Sequence, residues 1–418
     1  MNSLSAGWVI PADGAPIRDG RVTWEDGRVV DVSPGRGERH YENAIILPGL
    51  VNAHSHLEYA VYAGFGDGEP FGQWMGTHIT RKRALDFDDM VAIACRGAAD
   101  CLTAGITTTA DYSFSGAAAV AAARLGLRAI VYLEVFGSDP AGAASQLAQK
   151  QEAAGSSPLV TLGVSPHAPF TCSIAVYEWA LSLGLPVGTH LAESANENDW
   201  LESGAGPLAA NAAILVPPTG KRAVQTLESV LGPTLLCAHC VEVDDTDVAL
   251  LAELDVPVAH CPRSNALLGC GVAPLADFLA ADMRVGLGTD SPASTPSFDL
   301  WEEMRAAIYA SRGRERRPDS LSAAAALELA TAGAARALDL TGEVGVLAPG
   351  ARADITVLSI AGSPYDPVED PIVAAVFGGS PDRILETIVD GTTRYRQGET
   401  SWHEVHSTAS TARARMLA

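Results

Sequence analysis

No stretch of eighteen uncharged apolar residues occurs anywhere in the 418-residue sequence, so it offers no candidate membrane-spanning helix. Basic residues are scarce: 28 Lys and Arg face 50 Asp and Glu, for a formal net charge of -22. Such a surface repels a phosphate backbone and an anionic bilayer alike, which excludes nucleic acid and membrane as partners. No GxGxxG or P-loop follows the first strand-like run, which argues against a doubly wound nucleotide-binding sheet. Met1-Asn2-Ser3-Leu4 carries no basic segment ahead of an apolar one, so no signal peptide is read and a cytoplasmic location is expected. The seven cysteines are odd in number and scattered through apolar segments, which predicts reduced thiols. Cys237-Ala238-His239-Cys240 is a CxxC without a second one, and strand alternation puts its cysteines on opposite faces.

What is present reads as a soluble globular chain: 47% apolar and 19% charged residues. Its length suggests two or three domains, although an α/β barrel with additions can use most of it. Residues 7–47 alternate apolar and polar, with turns at Asp19-Gly20 and Asp26-Gly27. Near the other end, Gly350 to Leu358 and Glu386 to Gly398 are also strand-like. Neither end can bury a core alone. The expectation is one small β-sandwich built from 1–47 together with 345–418, flanking a central domain over 48–344.

In that centre, apolar runs alternate with Ala/Leu-rich stretches. Candidate strands are Ile46–His54, Gly105–Asp111, Arg128–Val135, Val160–Pro166, Pro186–His190, Thr234–His239, Pro257–His260 and Val285–Asp290. Helices are predicted at Phe87–Ala104, Gly116–Leu125, Ala175–Leu183, Asp245–Leu254 and Leu321–Leu338. Eight βα units close into a (β/α)8 TIM barrel, the predicted α/β fold, whose active sites lie at the carboxyl ends of the strands.

Ligand-type side chains fall at those ends. The run Pro48 to Ala53 closes on His54-Ser55-His56, and side chains two apart on a strand project to one side, so both imidazoles can grip one ion. Further runs end on His190, with Glu193 three residues on, on His239, and on Asp290. Neutral imidazoles favour zinc or iron(II).

This ordered set resembles the amidohydrolase superfamily of metal-dependent hydrolases. Thr189-His190-Leu191-Ala192-Glu193, His260-Cys261-Pro262-Arg263-Ser264-Asn265 and Gly288-Thr289-Asp290-Ser291 are similar to its subgroup that deaminates aminated heterocycles, among them S-adenosylhomocysteine, 5'-methylthioadenosine and aminodeoxyfutalosine. The resemblance implies a metal held by His54, His56, His190 and Asp290, with Asp290 taking a proton from water and His239 holding that water. Binuclear members use a carboxylated lysine on the barrel. The only lysines here, Lys82, Lys150 and Lys221, lie outside every candidate strand. One divalent ion is therefore expected, zinc with iron as the alternative. Glu193 is expected to donate to the ring nitrogen and pass a proton to the leaving amine.

For a small-molecule substrate, the resemblance points to His167, at the end of the fourth strand, and Trp74, after the first. The adenosylhomocysteine enzymes carry an acidic residue nine positions beyond that tryptophan; here it is Arg83. Arg81 and Arg83 offer forks suited to a carboxylate, as in aminodeoxyfutalosine. The leading function is deamination of an adenosine-derived nucleoside, the alternative the same machinery on a triazine, pterin, cytosine-type or chlorinated ring. His260 receives no role, and homo-oligomerisation is left open.

Overall fold

In the computed structural model, which describes residues 1–418, the chain opens with four strands, β1 (Asn2–Val9), β2 (Ile17–Glu25), β3 (Arg28–Pro34) and β4 (Arg39–Pro48). Asp26 and Gly27, at φ 49 and 75, make the two-residue turn between β2 and β3, both in the left-handed region that such a hairpin demands. The predicted strand Ile46–His54 is two strands. β4 ends at Pro48, and β5 (Leu50–Ser55) begins the barrel. The break falls at Gly49, where a Cβ would come within 2.1 Å of Thr107 Oγ1, so only glycine lets the chain cross between sheets there.

β5 is followed by β6 (Ile106–Ser113), β7 (Arg128–Val135), β8 (Val160–Pro166), β9 (Val187–Leu191), β10 (Leu235–His239), β11 (Val258–His260) and β12 (Val285–Leu287). These eight pair in sequence order and in parallel, with helices between them, as predicted for a TIM barrel. The first and last strands meet through a parallel bridge between Ser55 and Asp290. Asn52 reinforces that seam by donating to Thr289 Oγ1 at 2.8 Å and accepting from Thr289 N–H at 2.9 Å.

The predicted helix Leu321–Leu338 is also two elements, Ala323–Leu329 and Ala332–Ala337. Thr331 leaves helical geometry (φ -137, ψ -104), and its hydroxyl donates to the Leu327 carbonyl at 2.7 Å, a local bond that competes with the helix.

The two ends of the chain do pair. β13 (Ile355–Ser359) runs antiparallel to β4, from Ile355 opposite Pro48 to Ser359 opposite Ala44. With β14 (Ile384–Val389) and β15 (Thr392–Arg396), hydrogen bonding links the terminal strands into one seven-stranded mixed sheet, ordered β15-β14-β13-β4-β1-β2-β3. Its own apolar cluster draws on both ends, with Leu4, Val22, Trp24 and Ile46 against Val357 and Ile388. Asp354 couples this sheet to the barrel by taking two bonds of 3.1 Å from Arg128 and one of 2.7 Å from Asp390 N–H.

The helix His403–Leu417 was not anticipated in a segment expected to be β-structure. Ala409, Ala412 and Met416 form its buried stripe, and Arg415 Nη1 meets Asp89 Oδ1 at 2.6 Å. All seven cysteines are buried and free, and no helix is long and apolar enough to cross a membrane.

Candidate active site

The carboxyl ends of the barrel strands bring His54, His56, His190, His239 and Asp290 together. His54 Nε2 and His56 Nε2 lie 3.7 and 3.6 Å from the same oxygen, Asp290 Oδ1, and His56 Nε2 lies 3.3 Å from His190 Nε2. Each imidazole is aimed from behind. His56 Nδ1–H donates to the Tyr112 carbonyl at 2.7 Å and His190 Nδ1–H to the His167 carbonyl at 2.8 Å, which turns both Nε2 lone pairs inward. Asp290 is oriented in the same way: Ser264 and Ser294 hydroxyls donate to Oδ2 at 2.6 and 2.8 Å, leaving Oδ1 to the histidines.

Backbone placement is equally specific. His239 (φ 76) and Asp290 (φ 56) both occupy the left-handed region that residues with side chains rarely adopt. Strain of this kind, about 1–3 kcal/mol per residue, persists only where the surroundings impose it. Behind the HxH turn, buried Asp111 accepts from Leu57 N–H at 2.6 Å and Ser55 Oγ at 3.1 Å. Ser55 therefore points away from the cluster while His54 and His56 face it. Gly288 has no room for a side chain, since a Cβ would sit 2.6 Å from that of His54.

The donor set fits a divalent cation. His54 is fully buried with neither ring nitrogen bonded to anything, a costly state that a cation at Nε2 would relieve. Ligand atoms of His54, His56 and His190 lie within 4.8 Å of one another, as do those of His54, His239 and Asp290. Burial is the main force holding His54 and His190 well below their ordinary pKa of 6.5, and it brings His56 down to about 3. The imidazoles are thus neutral and ready to ligate at physiological pH.

Glu193 stands beside this cluster, its Oε1 3.7 Å from His239 Nε2. Its own N–H donates to Glu197 Oε2 at 2.9 Å, which fixes the turn after β9. Burial raises the Glu193 carboxyl to about 7, with His239 drawing it down and Asp290 adding to the rise. His239 Nδ1 is 3.0 Å from Asn265 Oδ1; an N–H given there leaves Nε2 facing the cavity.

A cavity of about 360 Å3 opens over these groups, lined among others by Tyr59, Phe71, Trp74, His78, Lys82, Phe114, Glu134, Phe136, His167 and Phe170. Trp74 lies in its wall and donates from Nε1 to the Ala293 carbonyl at 3.1 Å. His167 is also there, its Nδ1 2.9 Å from Thr171 Oγ1 and its Nε2 4.0 Å from Glu134 Oε1. Arg81 and Arg83 are not brought to the cavity. Arg81 stacks its guanidinium 3.8 Å over the Phe65 ring, and Arg83 is exposed at the end of helix α1 (Phe71–Lys82). For Arg83 the physical reason is helical phase: at about 100° per residue, a position nine beyond Trp74 falls on the opposite face. Arg81 is held instead by its stack on Phe65.

The side chains that sequence reasoning missed are Lys82, His78 and Glu134. A signal existed for each: Trp74, His78 and Lys82 are spaced by four on one helix, and Glu134 is a charged residue at the carboxyl end of a barrel strand. His260 is buried behind His239, is not in the cavity wall, and leaves its Nδ1 without a partner.

A model of the amidohydrolase family matches residues 45–394. A 5-methylthioadenosine/S-adenosylhomocysteine deaminase of Symbiobacterium thermophilum is 32% identical, over 93% of this chain and 92% of its own. A 5'-deoxyadenosine deaminase of Methanothermobacter thermautotrophicus is 31% identical over 93% and 92%. Among solved structures, a zinc-bound adenosine deaminase from Xanthomonas campestris superposes with a TM-score of 0.87 at 24% identity, covering 99% of this chain and 98% of that one. With the matched span covering most of the sequence and every barrel strand, the chain belongs to the amidohydrolase family.

Proposed function

We propose that this protein is a hydrolytic deaminase that binds one zinc ion through His54, His56, His190 and Asp290 and removes the ring amino group of an adenosine derivative as ammonia. The observation that carries this is the buried Glu193 carboxyl, 3.7 Å from His239 beside the metal-ligand cluster. Expulsion of an amine needs a proton donor at the ring, and a carboxyl raised to about 7 is half protonated near neutral pH. The substrate class follows the names of the relatives, deaminases of 5-methylthioadenosine/S-adenosylhomocysteine and of 5'-deoxyadenosine, and the aromatic-walled cavity suits a purine. Aminodeoxyfutalosine belongs to the same class, but the arginines that favoured a carboxylated substrate face away from the cavity.

When bound, the metal lowers the pKa of a coordinated water to about 7. The residues then divide the work. Asp290 accepts the proton that the attacking water sheds as its oxygen bonds to the amidine-like carbon. Glu193 delivers a proton to the adjacent ring nitrogen and then a second, relayed from Asp290, to the departing amine. His239 holds the oxygen nucleophile through Nε2. The C–N bond breaks and ammonia leaves; the proton of the new hydroxyl passes through Asp290 back to Glu193, so the ring retains a carbonyl and both carboxyl groups return to their starting states.

Ammonia release from adenosine, 5'-deoxyadenosine, 5'-methylthioadenosine and S-adenosylhomocysteine, run beside ammonia release from cytosine and chloride release from a chlorotriazine, tests the proposal. Turnover confined to the adenosines is expected. Turnover of the triazine or cytosine alone would replace the substrate class while leaving the family intact.

A further inference from the structure

The catalytic cluster accounts for one end of the cavity and leaves two charged side chains in its wall without a task. Glu134, at the carboxyl end of β7, is 3% exposed, and no group in the protein donates a hydrogen bond to its carboxylate. The nearest ionisable contact is His167 Nε2, at 4.0 Å. Lys82, on the last turn of α1, rests its ammonium 3.8 Å over the Phe114 ring and 4.6 Å over Tyr59 and makes no hydrogen bond or ion pair. The two charges influence each other through the cavity without closing into a salt bridge. Lys150 donates from Nζ to the Glu134 backbone carbonyl at 2.5 Å and makes no hydrogen bond or ion pair with the Glu134 carboxylate.

Opposite charges without partners in one wall, Glu134 buried and Lys82 half-buried, are costly in the free protein and persist where a ligand supplies what each lacks. Lys82 offers only donors; burial raises the Glu134 carboxyl to about 7 while Lys82 draws it down, and in its ionised form it offers only acceptors. The complement is a group that accepts from one and donates to the other, which is what adjacent hydroxyls do. Phe114 and Phe136 make the adjoining wall aromatic.

We infer that Lys82 and Glu134 are the specificity determinants of this enzyme and clamp the vicinal hydroxyls of the substrate's sugar, an inference that rests on the substrate being an adenosine derivative. One hydroxyl donates to the Glu134 carboxylate, and the pair accepts from Lys82 Nζ. The clamp selects ribonucleosides over deoxynucleosides and leaves the sugar's 5' substituent to the apolar wall.

The test compares adenosine, 2'-deoxyadenosine, 3'-deoxyadenosine and 2',3'-dideoxyadenosine on the metal-loaded wild type, Glu134→Gln and Lys82→Met. Losing charge-assisted hydrogen bonds should lower wild-type kcat/KM on the dideoxynucleoside by about tenfold or more relative to adenosine. In either variant, that ratio should shrink to about twofold while metal content stays at the wild-type level. Equal wild-type turnover of all four nucleosides would overturn the clamp even if neither variant folds, as would full discrimination retained in both variants. Failure of the wild type to deaminate any adenosine would instead overturn the substrate class.

Discussion

Glu193 Oε1 lies 3.7 Å from His239 Nε2, a carboxyl and an imidazole facing each other across the space where a ring nitrogen and an attacking oxygen must meet. Replacing Glu193 with Gln keeps the volume and removes the transferable proton. General acid–base groups contribute about 100- to 10,000-fold, so kcat of Glu193→Gln should fall by that order while KM and metal content change little. Elemental analysis beside steady-state kinetics checks this. Loss of the metal in the variant would make Glu193 a ligand, and near-normal turnover would move the proton shuttle elsewhere.

Asp290→Asn addresses the other carboxylate. The amide fits the same space between the Ser264 and Ser294 hydroxyls, but it brings no charge to the imidazole cluster and cannot take a proton. We expect a folded protein with activity reduced by at least about 100-fold. Circular dichroism and ammonia release decide it, and substantial turnover would remove Asp290 from the mechanism.

The arginines separate what the sequence could say about helix α1 from what it could not. Arg83→Ala should leave kcat/KM within about twofold of wild type and stability within about 0.5 kcal/mol, since the side chain is exposed. Arg81→Ala should cost about 1 kcal/mol by removing its stack on Phe65, with little effect on chemistry. Denaturant unfolding and kinetics on both variants check the contrast. A selective loss of one substrate in Arg83→Ala would contradict the placement.

Much of the barrel was legible because each strand is a short apolar run closed by a chemical residue, and Arg128–Val135 and Val160–Pro166 were delimited to the residue. The metal-ligand candidates were legible for the same reason, since strand alternation alone puts His54 and His56 on one side. What escaped depends on contacts that no local pattern encodes. The break at Gly49 comes from the approach of Thr107, 58 residues away by number, and the helix His403–Leu417 has an alanine stripe too weak to announce itself. Lys82 and Arg83 are neighbours in sequence and differ by about 100° around α1, so weighing Arg81 and Arg83 as the carboxylate-binding cations passed over Lys82, the one that lines the cavity.

His260 provides a pH test away from the reacting atoms. Burial lowers its pKa from an ordinary 6.5 to about 4, with His239 adding to the shift. Above pH 6.5 both folded and unfolded states are neutral there, and stability does not depend on this group. Between 6.5 and about 4 only the unfolded chain takes up the proton, so the folded state loses about 1.4 kcal/mol per pH unit from this source. His260→Gln lacks that term. The stability of wild type relative to the variant should therefore decline as pH falls from 6.5 to 5 in urea unfolding, and a difference that stays constant or grows would contradict a neutral, buried His260.

The most direct test of the account is metal reconstitution. Metal-free protein, prepared with a chelator, is titrated with zinc while deamination of an adenosine derivative is followed. Activity should rise linearly and saturate at one ion per chain, with His54→Ala failing to recover at any zinc concentration. Full activity without metal, or saturation only at two ions per chain, would contradict a single metal held by His54, His56, His190 and Asp290.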